Sequence, residues 1–302
     1  MPHILPEVAE ALAEGRGVVA LESTLIAHGL PWPDNLETAR LADRAVRDAG
    51  AVPATIAVVA GVVRVGLTDE ELERLARSSG YLKASRRDLS HAVAGGLDAA
   101  TTVSATLWVA RRAGIGVLAT GGLGGVHRGA STTFDISTDL DELARADGLA
   151  VVCSGVKSIL DVPATLDALE TRGVAVVGYR TDNFPAFTTL SSGLPLDARV
   201  NDPLGAARLV RAHRDLGLPG AVVIAQPVPG PDALDRDAME AGLAEGLELA
   251  RVRGVVGKAI TPFLLDHLRH STGGLSLKAN RSLIVANAGL AGELAAALSK
   301  RG

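Results

Sequence analysis

The sequence contains one cysteine, Cys153, so no disulfide can close within the chain. No His and Cys cluster has zinc-binding spacing, which removes a zinc site of the usual kind. No apolar run reaches the ~18 residues that a bilayer-crossing helix needs. The first residues carry Glu7 and Glu10 and no basic stretch, so a secretory leader is not expected. The net charge is −4, with Lys and Arg scattered among Asp and Glu rather than gathered in a stripe. Neither nucleic acid nor a membrane is therefore expected as a partner. Repeats, low-complexity tracts and linkers are also missing. Together these absences point to a soluble, reduced, cytoplasmic protein.

Lysine is scarce too. Of 30 basic residues only Lys83, Lys157, Lys258, Lys278 and Lys300 are lysine. A GC-rich coding sequence produces the same bias. Even so, lysine can lose its proton and act as a nucleophile, whereas arginine effectively cannot. Lys300 lies at the C-terminus and reads as solvated; the other four invite inspection.

What is present is apolar and layered. Hydrophobic residues make up 47% of 302 positions, enough for a sizeable core. Short continuous apolar runs alternate with amphipathic stretches, the pattern of α/β layers. Strands are expected at Gly17–Leu21, Thr55–Ala60, Gly116–Ala119, Leu149–Cys153, Val174–Gly178 and Ala221–Ala225, with Gly61 turning a hairpin into Val62–Val65. Helices are expected at Leu36–Ala49, Asp69–Ser78, Asp88–Ala94, Thr101–Ala113, Leu140–Ala146, Leu166–Thr171, Pro203–Leu216, Asp235–Arg251, Pro262–His270 and Leu290–Ser299. Asp34 with Glu37 resembles a capping box. The expected fold is α/β: one domain over residues 1–302, a three-layer α/β/α sandwich around a mostly parallel mixed sheet. Thr181–Pro203 is the least regular region.

Six segments can carry chemistry. Glu22-Ser23-Thr24 ends the first strand, where open α/β sheets bind ligands. Glu22 there is either a proton donor tuned by burial or a loop cap. Thr120 to Gly129 is glycine-rich, and His127 and Arg128 add donors, which suits a phosphate or a tight turn. Its glycine spacing matches neither a dinucleotide fingerprint nor a P-loop. Phe134 to Asp139 sets Asp135 and Asp139 four residues apart with Ser137 and Thr138 between; the set suits Mg²⁺ or Mn²⁺, or a helix cap by Asp139 with Glu142. Val151 to Ser158 places Lys157 after a buried strand, as a Schiff-base amine or a snorkelling side chain, with Cys153 facing the core. Lys83 to Asp88 offers three cations for a phosphate, or Asp88 as a cap with solvated arginines. Gly274 to Asn280 supplies Asn280 as a polar anchor, or is an ordinary loop.

Read together, the stretches ALESTLIAHGLPWPDNLETA, AVPATIAVVAGVVRVGL, SRRDL, ATGGLGGVHRGA, TFDIS, VVCSGVKSILD, TPFLL and SLKAN closely resemble the pseudouridine-5′-phosphate glycosidases, the group that includes indigoidine synthase A-like proteins. The resemblance runs from about residue 20 to 290 and is thinnest over Thr181–Asp235. It implies a three-layer fold, a homotrimer, one Mn²⁺ per subunit (with Mg²⁺ or another divalent ion as the substitute), and interconversion of pseudouridine 5′-phosphate plus water with uracil plus ribose 5-phosphate. It also implies Glu22 as proton donor, Lys157 as Schiff-base lysine and Asp135 as metal ligand. Substrate contacts carried over are Lys83, Val103 through its backbone, and Ser137-Thr138-Asp139; Thr120, His127 and Asn280 follow as pocket residues. A C-glycoside synthase using another carbon nucleophile would share the sugar motifs. A Schiff-base aldolase would need eight βα units that the pattern lacks. A non-catalytic sugar-phosphate sensor has no need of Glu22 and Lys157 together.

Overall fold

Val18–Leu21, Ala150–Cys153 and Val222–Ala225 are buried at every position, which is why they read as unbroken apolar runs. The computed structural model describes residues 2–255 and 257–300; the Lys258 side chain lies outside the described set. The strands are β1 (His3–Ile4), β2 (Val18–Leu21), β3 (Val52–Val59), β4 (Val62–Val65), β5 (Leu82–Ala84), β6 (Ala99–Thr101), β7 (Val117–Ala119), β8 (Ala150–Cys153), β9 (Ala175–Tyr179), β10 (Arg199–Val200) and β11 (Val222–Ala225). The helices are α1 (Pro6–Ala13), α2 (Asp34–Asp48), α3 (Asp69–Arg77), α4 (Leu89–Ala94), α5 (Val103–Ala113), α6 (Ala130–Thr133), α7 (Thr138–Leu143), α8 (Val162–Thr171), α9 (Pro203–Asp215), α10 (Arg236–Val252), α11 (Ile260–Ser271) and α12 (Leu275–Ser299).

All strands join one sheet in the order β1-β4-β3-β2-β7-β8-β11-β9-β10, with β6 bridging β3 and β5. Pairing is parallel except where β3 meets β4 and β6. Successive strand residues alternate between two cores. Val18, Ala20, Leu118, Val151 and Val223 face a cluster with α1, α4, α5, α7 and α8. Val19, Val117, Val152, Val222 and Ile224 face a cluster with α2, α9 and α12. A period of two with both faces covered is the three-layer sandwich.

The structure departs from the sequence reading in particular places. Strand β3 begins at Val52 rather than Thr55, with Pro53 inside it. Pro53 is tolerated because this half of β3 pairs with β2 alone; β4 joins from Ile56 onward. Ala60 and Gly61, both at positive φ, make the two-residue hairpin turn. Strands β5 and β6 were missed because three residues carry no periodic signal. Asp34 and Glu37 form no capping box; both carboxylates bind Arg281 of α12 instead. Asp139 and Glu142 do not cap α7, since Ser137 does so by accepting from the Asp139 N–H at 3.2 Å.

The largest correction is α12. It spans 25 residues, and the segment read as a loop, Gly274 to Asn280, is its first turns. Lys278, Arg281 and Glu293 interrupt its apolar run in sequence. By length and composition it could cross a membrane, but 56% of its most apolar stretch is buried against α2, α9, β2, β7 and β8. It is a core helix of the sandwich. Thr181 to Pro203, the least regular region in sequence, is tied into the fold as Phe184 and Phe187 are buried in the two cores.

Candidate active site

Strands β2, β7 and β8 lie side by side, and their carboxyl ends deliver Glu22, Thr120 and the Lys157 loop to one place. Beyond the strands the chain stays paired. Ser154 N–H donates to the Gly121 carbonyl at 2.9 Å, Leu123 N–H to Gly155 at 2.9 Å, and Lys157 N–H to Leu123 at 3.1 Å. These bonds fix the Lys157 backbone against the glycine-rich loop. Gly155, at φ +76°, is required here: a Cβ would lie 2.1 Å from the Pro185 carbonyl oxygen.

Glu22 is buried, and the Thr120 hydroxyl donates to its carboxylate. Burial pushes its carboxyl above the usual carboxylate range, opposed by the nearby Lys157 charge and the Thr120 hydrogen bond. A raised pKa favours the protonated form, the one that can donate a proton. Lys157 and Lys83 are half-buried and border the same space as Glu22. Cys153, facing the core as expected, is fully buried, which pushes its thiol up to about 12.

Two connected chambers meet at Glu22, Lys83 and Lys157. The outer one, about 320 Å³, is polar and is lined by Arg87, His127, Asp135, Ser137, Thr138 and Asp139. The inner one, about 50 Å³, is walled by Leu25, Phe187, Leu265, Ile284 and Asn280. Every proposed site residue therefore converges except two that stand behind the walls. Thr120 reaches the chambers only through its hydrogen bond to Glu22. Val103 is buried as the first residue of α5, next to Thr102, which lines the outer chamber.

Several amides of the glycine-rich loop are taken up within the protein. Gly124 N–H donates to Asp139 at 2.9 Å, Val126 N–H to the Thr165 hydroxyl at 3.0 Å, and His127 N–H to the Asp135 carbonyl at 3.0 Å. One of these acceptors is the protein's own buried carboxylate. Asp139 is buried, with one carboxylate oxygen on Gly124 and the other on Ser104 N–H at 2.9 Å. It thereby joins the glycine loop to the N-terminus of α5, where negative charge is favoured. Of the arginines after Lys83, Arg87 lines the outer chamber, while Arg86 turns away to Glu142 at 2.9 Å. Ser85 and Asp88 form the local cap. Lys278 is engaged outside the chambers by Asp232 at 2.8 Å.

Asp135 is the carboxylate open to the outer chamber, with its side chain 37% exposed and His127 Nδ1 3.9 Å away. Burial holds the His127 imidazole below its usual range, against the pull of Asp135. Among the described residues no group of three His, Cys, Asp or Glu side chains could hold a metal. A single open carboxylate fits Mg²⁺ or Mn²⁺, which keep several waters, and does not fit zinc.

Asn287 was missed by sequence reasoning. It is fully buried on α12, donates to the Thr120 carbonyl at 2.9 Å and the Ser154 hydroxyl at 3.1 Å, and accepts from Gln226 at 3.2 Å. A lone asparagine in the apolar run from Leu283 to Leu290 was the available signal. Phe187, on the inner chamber wall, gave none, whereas Thr24 and His28, on the same wall, fall in the segment after the first strand that the sequence singled out. His28 lies in a π-helical turn, Leu25–Gly29, and Phe187 is held at φ +62°.

Comparison with known proteins places this geometry. A family model described as indigoidine synthase A like protein matches residues 7–297. A pseudouridine-5′-phosphate glycosidase of Caldanaerobacter subterraneus is 54% identical over 97% of this chain and 95% of its own length. One from Methylobacterium nodulans is 54% identical over 99% of this chain and 89% of its own. Among solved structures, the prealnumycin C-glycosynthase in complex with ribulose 5-phosphate superimposes with a TM-score of 0.91 at 45% identity, covering 99% of this chain and 97% of that one. With the match spanning every element that builds the two chambers, the chain belongs to the indigoidine synthase A-like family.

Proposed function

We propose that the chain makes and breaks the carbon–carbon glycosidic bond of pseudouridine 5′-phosphate, interconverting it and water with uracil and ribose 5-phosphate. One observation carries the reading: Glu22 and Lys157 share the junction between a polar chamber and a smaller apolar one. Relatives named for this activity, about half identical over nearly the whole chain, support it.

The chemistry needs a covalent handle, because a base attached through carbon is a poor leaving group. Lys157 Nζ, unprotonated, attacks C1′ of the ribosyl group. The C1′–O4′ bond breaks, and Glu22 delivers its proton to O4′. The attached nitrogen, now an ammonium, returns one proton to the Glu22 carboxylate. Its lone pair then forms C1′=N⁺ as the C1′–C5 bond breaks and uracil C5 takes that proton from Glu22, so the base departs neutral. Water adds to C1′, the C–N bond breaks, and ribose 5-phosphate leaves while the proton carried by the departing Lys157 amine restores Glu22. Splitting one hard step into two easier ones is what a nucleophile contributes.

Lys83 and Arg87 bind the phosphate in the outer chamber, so that remote binding orients the reacting carbon. Ser137, Thr138 and His127 bind the sugar phosphate beside them. Val103 contributes its backbone at the α5 N-terminus, and Asn280 anchors the substrate from the inner chamber. Thr120 tunes Glu22, and Asp139 holds the loops in register. Asp135 would hold Mn²⁺, or Mg²⁺ in its place, and the ion would supply charge balance for the phosphate. In this reading residues 1–302 act as one domain in a cytoplasmic homotrimer.

A second reading, C-glycoside synthesis on another carbon nucleophile, is favoured by the likeness to the prealnumycin C-glycosynthase. Release of uracil from pseudouridine 5′-phosphate with Mn²⁺, against a chelated control and Lys157→Ala, separates the two. Metal-dependent release that vanishes in Lys157→Ala supports the glycosidase. Intact pseudouridine 5′-phosphate with folded, metal-loaded protein supports the synthase.

A further inference from the structure

A third cavity, about 230 Å³, lies beyond the inner chamber. The two share His28, Gly29, Phe187, Pro262, Leu265 and Asn280 in their walls. None of the residues lining the third cavity lines the outer chamber. Its far end reaches solvent at the exposed Pro31 and at Asp266, whose side chain is 61% exposed. Walls are thus shared in series, outer chamber with inner chamber at Glu22, Lys83 and Lys157, and inner chamber with third cavity at His28, Phe187 and Asn280.

Two properties of the third cavity bear on what passes through it. Four residues of its lining, His28, Ser158, Thr188 and Asn280, each carry a buried side-chain polar atom without a protein partner. Buried polar groups seldom stay unpaired, so side-chain rotation toward the cavity would pair them with a cargo that forms and exchanges hydrogen bonds. Arg269, its cation, is bound by Asp266 at 2.7 Å; the outer chamber gathers two cations in its wall, Lys83 and Arg87, the latter facing Asp88 at 3.6 Å. A phosphate is drawn to the outer side. An uncharged planar ring finds both apolar wall and polar stations on the inner side.

Building on the proposed C–C cleavage, we propose that the third cavity is a separate passage for the free nucleobase, an uncharged planar heterocycle bearing donors and acceptors. The sugar phosphate enters and leaves through the outer chamber. The base departs on the opposite side while the sugar is still bound to Lys157. Loss of the base and loss of the sugar are then independent events, and a second base can reach the sugar adduct from the same side.

Ser276 and Ala27 border the third cavity and neither chamber, so Ser276→Phe and Ala27→Phe narrow the passage outside the reacting groups. Two readouts are taken on each variant: borohydride trapping of ribose 5-phosphate on Lys157 by mass spectrometry, and turnover of pseudouridine 5′-phosphate to uracil. The passage predicts trapping within about twofold of wild type while kcat falls by about tenfold, as expected when product release becomes limiting. Trapping that is preserved also shows that the variant is folded. Unchanged turnover in both variants, or trapping that falls in step with turnover, overturns the passage. Wild-type protein that traps no sugar and releases no uracil instead overturns the proposed reaction.

Discussion

The Thr120 hydroxyl donates to the Glu22 carboxylate, and the Thr120 carbonyl is itself held by Asn287 at 2.9 Å. Glu22 is therefore oriented by a residue just beyond β7, which is oriented in turn by the core helix. Burial disfavours the Glu22 carboxylate, and the hydroxyl partly offsets that effect by stabilising its ionised form.

Replacing Thr120 with valine removes the hydrogen bond to the ionised form, so the Glu22 pKa rises further. The protonated acid is the active form, present below that pKa and lost as pH rises through it. The alkaline limb of the kcat profile should move to higher pH in Thr120→Val. A limb that stays in place or moves to lower pH contradicts Glu22 as the acid.

Gly124→Ala tests the loop register. The new Cβ would lie 2.3 Å from Ser137 Oγ and 2.7 Å from Asp139 Oδ2, so the loop must shift and the Gly124–Asp139 bond must break. Denaturant unfolding should show a loss of about 1–3 kcal/mol, with kcat down at least about tenfold. Wild-type values for both would show that Asp139 does not hold the site together.

Cys153 should be inert in the native protein, being fully buried with its thiol pushed up to about 12. Iodoacetamide at neutral pH should leave it unmodified and label it fully after unfolding. Labelling of the native protein would contradict the packing of β8.

The fold was legible where the physics is local. β2, β8 and β11 announced themselves because burial on both faces leaves no polar position. Lys83 was noticed for its charge, but β5 was invisible because a three-residue strand is fixed by its neighbours. The SLKAN segment read as a loop because Lys278 and Arg281 break the apolar run, although Arg281 serves to bind Asp34 and Glu37 across helices. Asp139 read as a cap or ligand, and only the meeting of Ser104 with Gly124 showed it as a tie between distant segments. The pairing of Glu22 with Lys157 came from family resemblance, since no spacing rule joins residues so far apart.

Removal of the Asp135 carboxylate tests the metal assignment. Asp135→Ala should weaken Mn²⁺ binding, followed by the paramagnetic resonance of free Mn²⁺, by about tenfold or more. Chelation should lower activity in wild type and have a smaller effect in the variant. Unchanged Mn²⁺ affinity would remove Asp135 as a ligand.

The most direct test of the central claim is covalent. Wild-type protein is incubated with ribose 5-phosphate, reduced with borohydride, digested and mapped by mass spectrometry. A reduced sugar-phosphate adduct on the peptide carrying Lys157, and nowhere else at comparable yield, is the predicted result. Absence of an adduct there from protein that turns over pseudouridine 5′-phosphate would contradict the lysine imine and the mechanism built on it.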